Sequence, residues 1–242
     1  MNEQESVRIR LIDRENRRIE LARNEVIHSY PLNAVPDNLK FAMADVFEGS
    51  LSPEDKLQRL YESSIMKPAV CTLNPGSPFP INTCTKIVRL SLTDDAIRDQ
   101  IDFLEGELLS FQGRPFADTV DDRIQLYRDI YTEERDIDPF RLGAIEMYGE
   151  ATYANILSDS RTTLSFQWRA RDTGTACGYQ LNCIAEVSPQ NDLFFRFMRV
   201  LRGLFSSEFV DTKRGEYPCA YKFWISEVRD KSLVSKIGYA SQ

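Results

Sequence analysis

Residues 163–187 contain the pattern that most limits what this chain can become. Leu164, Phe166 and Trp168 alternate with Thr163, Ser165 and Gln167. After a turn at Asp172-Thr173-Gly174, Cys177, Tyr179, Leu181, Cys183, Ala185 and Val187 fall on one face, while Gln180, Asn182 and Glu186 fall on the other. A period of two puts successive side chains on opposite sides of an extended chain, which a helix of 3.6 residues per turn cannot do. Two such runs joined by a short turn predict an antiparallel pair with one dry face. The chain must therefore build a β core and find something to cover it. The next segment supplies a cover: Ser188-Pro189 opens a helix with Phe194, Phe197, Met198, Leu201 and Leu204 as its apolar stripe.

The rest of the chain adds further elements. Val7, Ile9 and Leu11 alternate with Arg8 and Arg10, and Ile19 and Leu21 resume the pattern after Asp13-Arg14-Glu15-Asn16, predicting a β-hairpin. Pro31 and Pro36 mark a loop, and residues 37–47 predict a short helix. A capped helix is expected from Ser52-Pro53-Glu54-Asp55. Ala69-Val70-Cys71-Thr72-Leu73 is a strand, Asn74-Pro75-Gly76 a turn, and residues 83–92 a second strand. Thr93 caps a helix carrying Ile97, Ile101, Leu104 and Leu108. A second acidic helix runs from about Asp118 to Thr132, and Pro139 ends it. A strand at 142–148, a short helix at 150–157 and a last strand at 219–228 complete the reading.

Composition excludes several classes of function. The 242 residues carry a net charge of −7, which disfavours a duplex-binding surface because phosphate neutralisation needs clustered Lys and Arg. The opening MNEQESVRIR has no apolar core, so no secretory leader is expected, and no apolar run reaches the ~18 residues of a membrane span. Five cysteines (Cys71, Cys84, Cys177, Cys183, Cys219) without CxxC spacing, and a single histidine, His28, give no zinc cage; a reducing, cytoplasmic compartment is expected. No nucleophile elbow, P-loop or HExxH motif occurs. Arg196, Arg199 and Arg202 recur every three residues along one helix and could meet an acidic partner, or simply cover its polar side.

One stretch carries a resemblance. Asn155-Ile156, Asp159-Ser160-Arg161 and the run from Gly178 through Tyr179, Leu181, Ala185 and Glu186 follow one another in a fixed order. The chain resembles the FMN-binding split β-barrel family, the pyridoxamine 5′-phosphate oxidase-like proteins, best over 145–205 and more loosely over 52–92. The resemblance implies an α+β fold: a split β-barrel-like antiparallel core at 49–242, a two-helix insertion at about 93–138, and an N-terminal hairpin extension at 1–48. It further implies an FMN-binding flavoprotein, a homodimer with the flavin at the subunit interface, and an oxidoreductase acting on a small molecule. Carried over by position, Arg161, Thr163 and Ser165 would meet the flavin phosphate, with Lys86 and Arg89 as further candidates. The family places a basic residue just before the short helix, where this chain has Gly149-Glu150, and a carboxylate there would repel phosphate. A non-catalytic assembly protein is the alternative, suggested by the hairpin, the acidic helices and the aromatic segment Tyr221-Lys222-Phe223-Trp224-Ile225. Single-stranded nucleic acid is a more distant third.

Overall fold

The computed structural model describes residues 7–23, 26–44, 64–170, 173–206 and 217–233. The capped helix expected from Ser52 lies outside the described residues.

Ten strands and five α-helices are described. The strands are β1 (Arg8–Asp13), β2 (Arg18–Arg23), β3 (Val26–Pro31), β4 (Ala69–Leu73), β5 (Ile81–Thr85), β6 (Val88–Leu92), β7 (Ile137–Glu146), β8 (Arg161–Arg169), β9 (Ala176–Ser188) and β10 (Cys219–Asp230). The helices, in chain order, are α1 (Asp37–Ala44), α2 (Asp94–Ser110), α3 (Phe116–Ile130), α4 (Ala151–Ser158) and α5 (Leu193–Gly203).

Seven strands form one antiparallel sheet in the order β5-β4-β8-β9-β10-β7-β6. Its two edges, β5 and β6, are consecutive in the chain and separated only by Lys86 and Ile87. A flat seven-stranded sheet would hold its edges roughly 29 Å apart at ~4.8 Å per strand. The link from Thr85 to Val88 can span at most about 11 Å. The sheet must therefore curl until its edges meet, and residues 81–92 form the seam of a barrel. The single strand expected at 83–92 is thus two strands on opposite edges. The fold is α+β, with a split-barrel-like antiparallel core.

The register assigns the faces. Val88, Leu90, Leu142, Ala144, Phe223, Tyr221, Leu181 and Leu164 point inward and are buried. The outward face is covered in two places. Helix α5 lies over β7, where Gly143 lets it approach: a Cβ there would sit 2.5 Å from the Met198 Sδ and 2.9 Å from the Phe194 Cζ. Its cap is Asp192, whose side chain accepts from Phe194 N, so the helix starts several residues beyond the Ser188-Pro189 expected to open it; Ser188 ends β9. The insertion helices pack on α5. Arg196 pairs with Asp102 and Glu105 of α2, and Arg199 pairs with Glu105. Arg123 of α3 donates to the Gly203 and Leu204 carbonyls, filling acceptors the helix end leaves open.

The second cover is the N-terminal unit, which is a three-stranded sheet, β1-β2-β3, rather than a hairpin. Ile19, Leu21 and Leu32 pack on Ile184 and Trp224. Arg14 reaches across to Asp138, 2.6 Å away, and Asp138 also binds Arg141. Asn33 N donates to the Ile225 carbonyl, beside a bulge that shifts β10 register between Ile225 and Glu227. Pro139 does not end the helical stretch as expected; it lies inside β7, beyond the residues that pair with β10, where its missing N–H costs no ladder bond. Its carbonyl accepts from Val35 N.

Candidate ligand-binding groove

Between these two covers, part of the barrel's outer face over β4, β5, β8 and β9 stays open. It forms a groove of about 430 Å³, within the range that takes cofactor-sized ligands. One wall is Tyr30 of β3, so the N-terminal sheet shapes the site. Cys71, Leu73 and Ile81 supply an apolar flank. Arg161, Thr163, Gln180, Asn182 and Glu227 supply the polar groups.

Period-two geometry explains why these residues meet. In β8 and β9, Arg161 pairs with Ile184, Thr163 with Asn182 and Ser165 with Gln180, all facing outward. In β4, Cys71 lies opposite Thr163. The β10 bulge inserts Ser226, so that Glu227 instead of Ser226 stands opposite Asn182. The Asn182 amide then donates to Glu227 (2.8 Å) while its oxygen lies 3.0 Å from the Thr163 hydroxyl.

Arg161 is held in place before any ligand arrives. Its Nε and Nη2 grip the Asp159 carboxylate at 2.5–3.2 Å. Burial pushes the Asp159 carboxyl up, but the Arg161 side-chain and backbone hydrogen bonds outweigh it and hold the group below the usual carboxylate range. The same contact raises the Arg161 guanidinium. A paired, oriented guanidinium loses less entropy when it meets an anion.

The five positions singled out from sequence separate in space. Arg161 and Thr163 line the groove. Ser165 shares their face one step further along and is exposed. Lys86 lies elsewhere, in a second cavity of about 310 Å³ at the barrel mouth, where its ammonium sits 2.6 Å from Glu146. The Tyr221 hydroxyl donates to the same carboxylate (2.6 Å). Burial raises the Glu146 carboxyl, and Lys86 with Tyr221 draws it below its ordinary range. Arg89, on β6, is buried against the Met66 sulfur and near Tyr127 and Tyr131, where desolvation lowers it. It faces neither cavity.

Glu150 also lines the barrel-mouth cavity and not the groove. The acid that breaks the family pattern therefore does not face Arg161. The arginines of α5 do not act as a set: Arg196 and Arg199 are committed to α2, and Arg202 lines the barrel-mouth cavity. The aromatic segment expected to be available to partners is interior, since Tyr221, Phe223, Trp224 and Ile225 are all buried. His28 is exposed on β3. Sequence reading missed Tyr30 and Glu227. The first depends on a strand hidden behind Pro31, the second on a bulge.

No family model and no curated protein matches the chain. Among solved structures, the chain is similar to HupZ of Group A Streptococcus, at 10% identity and a TM-score of 0.41, covering 82% of this chain and 95% of that one. It is similar to an FMN-binding protein of Syntrophomonas wolfei subsp. wolfei at 9% identity and a TM-score of 0.39, covering 81% and 93%. It is also similar to a candidate pyridoxamine 5′-phosphate oxidase of Lactobacillus delbrueckii at 15% identity and a TM-score of 0.33, covering 73% and 91%. The chain weakly resembles the FMN-binding split β-barrel proteins. At these scores the likeness does not extend to a ligand or an activity. No helix among the described residues is long and apolar enough to cross a membrane, and no cluster of three or more His, Cys, Asp or Glu among them could hold a metal ion.

Proposed function

We propose that the groove binds a phosphate-bearing flavin, FMN in the simplest case, and that the protein serves as an oxidoreductase acting on a small molecule. One observation carries this reading. Arg161 and Thr163, which the sequence resemblance puts at a flavin phosphate, meet in one groove that also offers an apolar flank and two side-chain amides. Arg161 would hold the phosphate, with the Thr163 hydroxyl beside it turning from Asn182 to donate to a phosphate oxygen. Gln180 and Asn182 present the amides that suit the carbonyl and imide edge of a flavin ring. Glu227 faces the same groove, and its engagement with Asn182 and Arg229 (3.1 Å) offsets its charge there. A bound flavin would supply the electron transfer; the protein supplies position, electrostatics and exclusion of water. The absence of a self-sufficient catalytic motif fits such a division of labour.

The test is direct. The purified protein should carry flavin absorbance, or quench the fluorescence of added FMN with saturation. Arg161→Ala should weaken FMN about 10- to 100-fold while changing riboflavin, which lacks the phosphate, much less, given ~1.5–3 kcal/mol for a hydrogen bond to a charged group. A colourless protein that leaves FMN fluorescence untouched at large excess sinks the reading.

A second reading, subunit assembly, draws on a different observation. Phe79 and Ile81 are 78% and 52% exposed on the edge strand β5 and the turn before it, and exposed apolar edges favour pairing with another chain. A homodimer through this edge would give a particle of twice the chain mass in light scattering, and Ile81→Lys should return it to a monomer.

A further inference from the structure

The N-terminal sheet covers the barrel strand by strand and stops one strand short. Ile9 and Ile12 of β1 share a cluster with Phe140 of β7. In β2, Ile19 and Leu21 pack on Ile184 of β9 and Trp224 of β10. In β3, Tyr30 meets Arg161 of β8. The barrel continues from β8 to β4, but no described strand follows β3. The groove opens where that strand would lie.

The backbone of β3 is ready for one. Leu32 N donates to the Arg17 carbonyl, and the register pairs Tyr30 with Ile19, His28 with Leu21 and Val26 with Arg23. Bonded and non-bonded pairs alternate along an antiparallel ladder. Val26, His28 and Tyr30 therefore spend their backbone groups on β2, while Ile27 and Ser29 aim theirs away from it. The opposite edge of this sheet is guarded: β1 is bulged between Ile9 and Leu11 and carries Arg8 and Arg10. Bulges and charges are what natural edges use against unwanted pairing. β3 has neither, since its register is unbroken over six pairs and Val26–Pro31 holds no Lys, Arg, Asp or Glu. Its barrel-facing row also overhangs open space. Val26 shares a face with His28 and Tyr30, yet is 56% exposed.

We propose that β3 receives an extended, uncharged segment of a partner protein as a fourth strand of the N-terminal sheet. Extended polypeptide repeats donors and acceptors at the spacing that Ile27 and Ser29 present. Its apolar residues would alternate toward Val26 and the Leu73 and Ile81 flank of the groove, and its polar ones toward solvent beside Ser29. A single strand fits where a second copy does not. β4 and β5 project from the barrel past β3, and a copy paired through its own β3 would bring its β4 and β5 into the same space. The flavin reading is not required, because it uses side chains of β8 and β9 and the added strand uses the backbone of β3.

The probe is a capped peptide of alternating valine and threonine with a lysine at each end, titrated into the full chain. It should bind with a Kd of about 100 μM or tighter. Amide exchange at Ile27 and Ser29 should slow at least about tenfold on binding. The same peptide N-methylated at every residue, which has no strand donors, should bind at least about tenfold more weakly. Ser29→Pro removes an outward N–H that β2 does not use, so it should weaken the peptide similarly while far-UV dichroism stays unchanged. Equal affinity for the two peptides, unchanged exchange at Ile27 and Ser29 under saturation, or no binding at about 1 mM overturns the proposal. So does slowing of the same two amides with protein concentration alone, which would assign the edge to a second copy. The two-peptide comparison needs no variant to fold.

Discussion

Asp138 is where the N-terminal sheet is fastened to the barrel, and its removal should be far more damaging than its small size suggests. Its side chain is fully buried; it accepts from Arg14 Nη2 (2.6 Å) and the Phe140 N–H (2.9 Å) and forms an ion pair with Arg141, whose Nε lies 3.1 Å away. Arg141 is likewise fully buried, sandwiched between Phe194 and Trp224. Its remaining carboxylate is Asp94, whose side chain is 59% exposed and so well screened. Asp138→Ala therefore leaves a buried guanidinium with the Ser91 hydroxyl, the Leu92 carbonyl and one screened charge. Stranding a buried partner costs about 3–5 kcal/mol. Arg14→Ala removes the other end of the same chain of charges, but Arg14 is 36% exposed and Asp138 keeps Arg141. That loss should be about 1 kcal/mol or less, and it should appear as faster amide exchange in β1–β3 before global stability changes. Urea unfolding of the two variants measures the difference. An Asp138→Ala protein within 1 kcal/mol of the parent, or equal in stability to Arg14→Ala, would refute the reasoning.

Other expectations follow from single contacts. Gly143→Ala drives a methyl into Met198 and Phe194 and should cost about 1–3 kcal/mol in the same assay; a neutral outcome would mean that α5 is free to shift. Thr93→Ala removes the acceptor for Ala96 N at the start of α2 and should cost about 1 kcal/mol, with Thr93→Ser recovering most of it. Glu146 and Asp159 are both held below their ordinary values of 4.5 and 3.8. A carboxylate lowered by folding stabilises the protein above its unfolded value, and that contribution is lost as pH falls through the folded value. Urea midpoints should therefore drop steeply on acidification below about pH 4.5, and Glu146→Gln should flatten part of that slope. A midpoint unchanged down to pH 3 would contradict both assignments.

Much of the fold is legible in the sequence because its signals are local. Period two in 163–168 and 177–187 fixes β8 and β9 without reference to any neighbour. Thr93 caps α2 as its side chain requires, and the stripe of α5 is a matter of spacing along one helix. What escaped the reading is non-local. Residues 83–92 look like one apolar strand, since nothing in the chain tells Lys86 and Ile87 that they must turn from one edge of the sheet to the other. Pro31 reads as a loop, yet it ends β3, which pairs with β2 along its length. Tyr221 to Ile225 look like an adhesive surface because aromatic content says nothing about which side of the molecule it faces.

The candidate site divides in the same way. Arg161 and Thr163 share a face by alternation alone, so the sequence by itself determines that they lie side by side on one face of β8. Lys86 and Arg89 also read as outlying cations of that site, but barrel closure sends one to the mouth and buries the other against Met66. Glu227 reaches Asn182 only through a one-residue bulge, and Tyr30 only because Asp138 pins a separate sheet against β9 and β10. Local periodicity chose the strand face, and only the closing of the sheet and the docking of its N-terminal cover decided which part of that face stayed open.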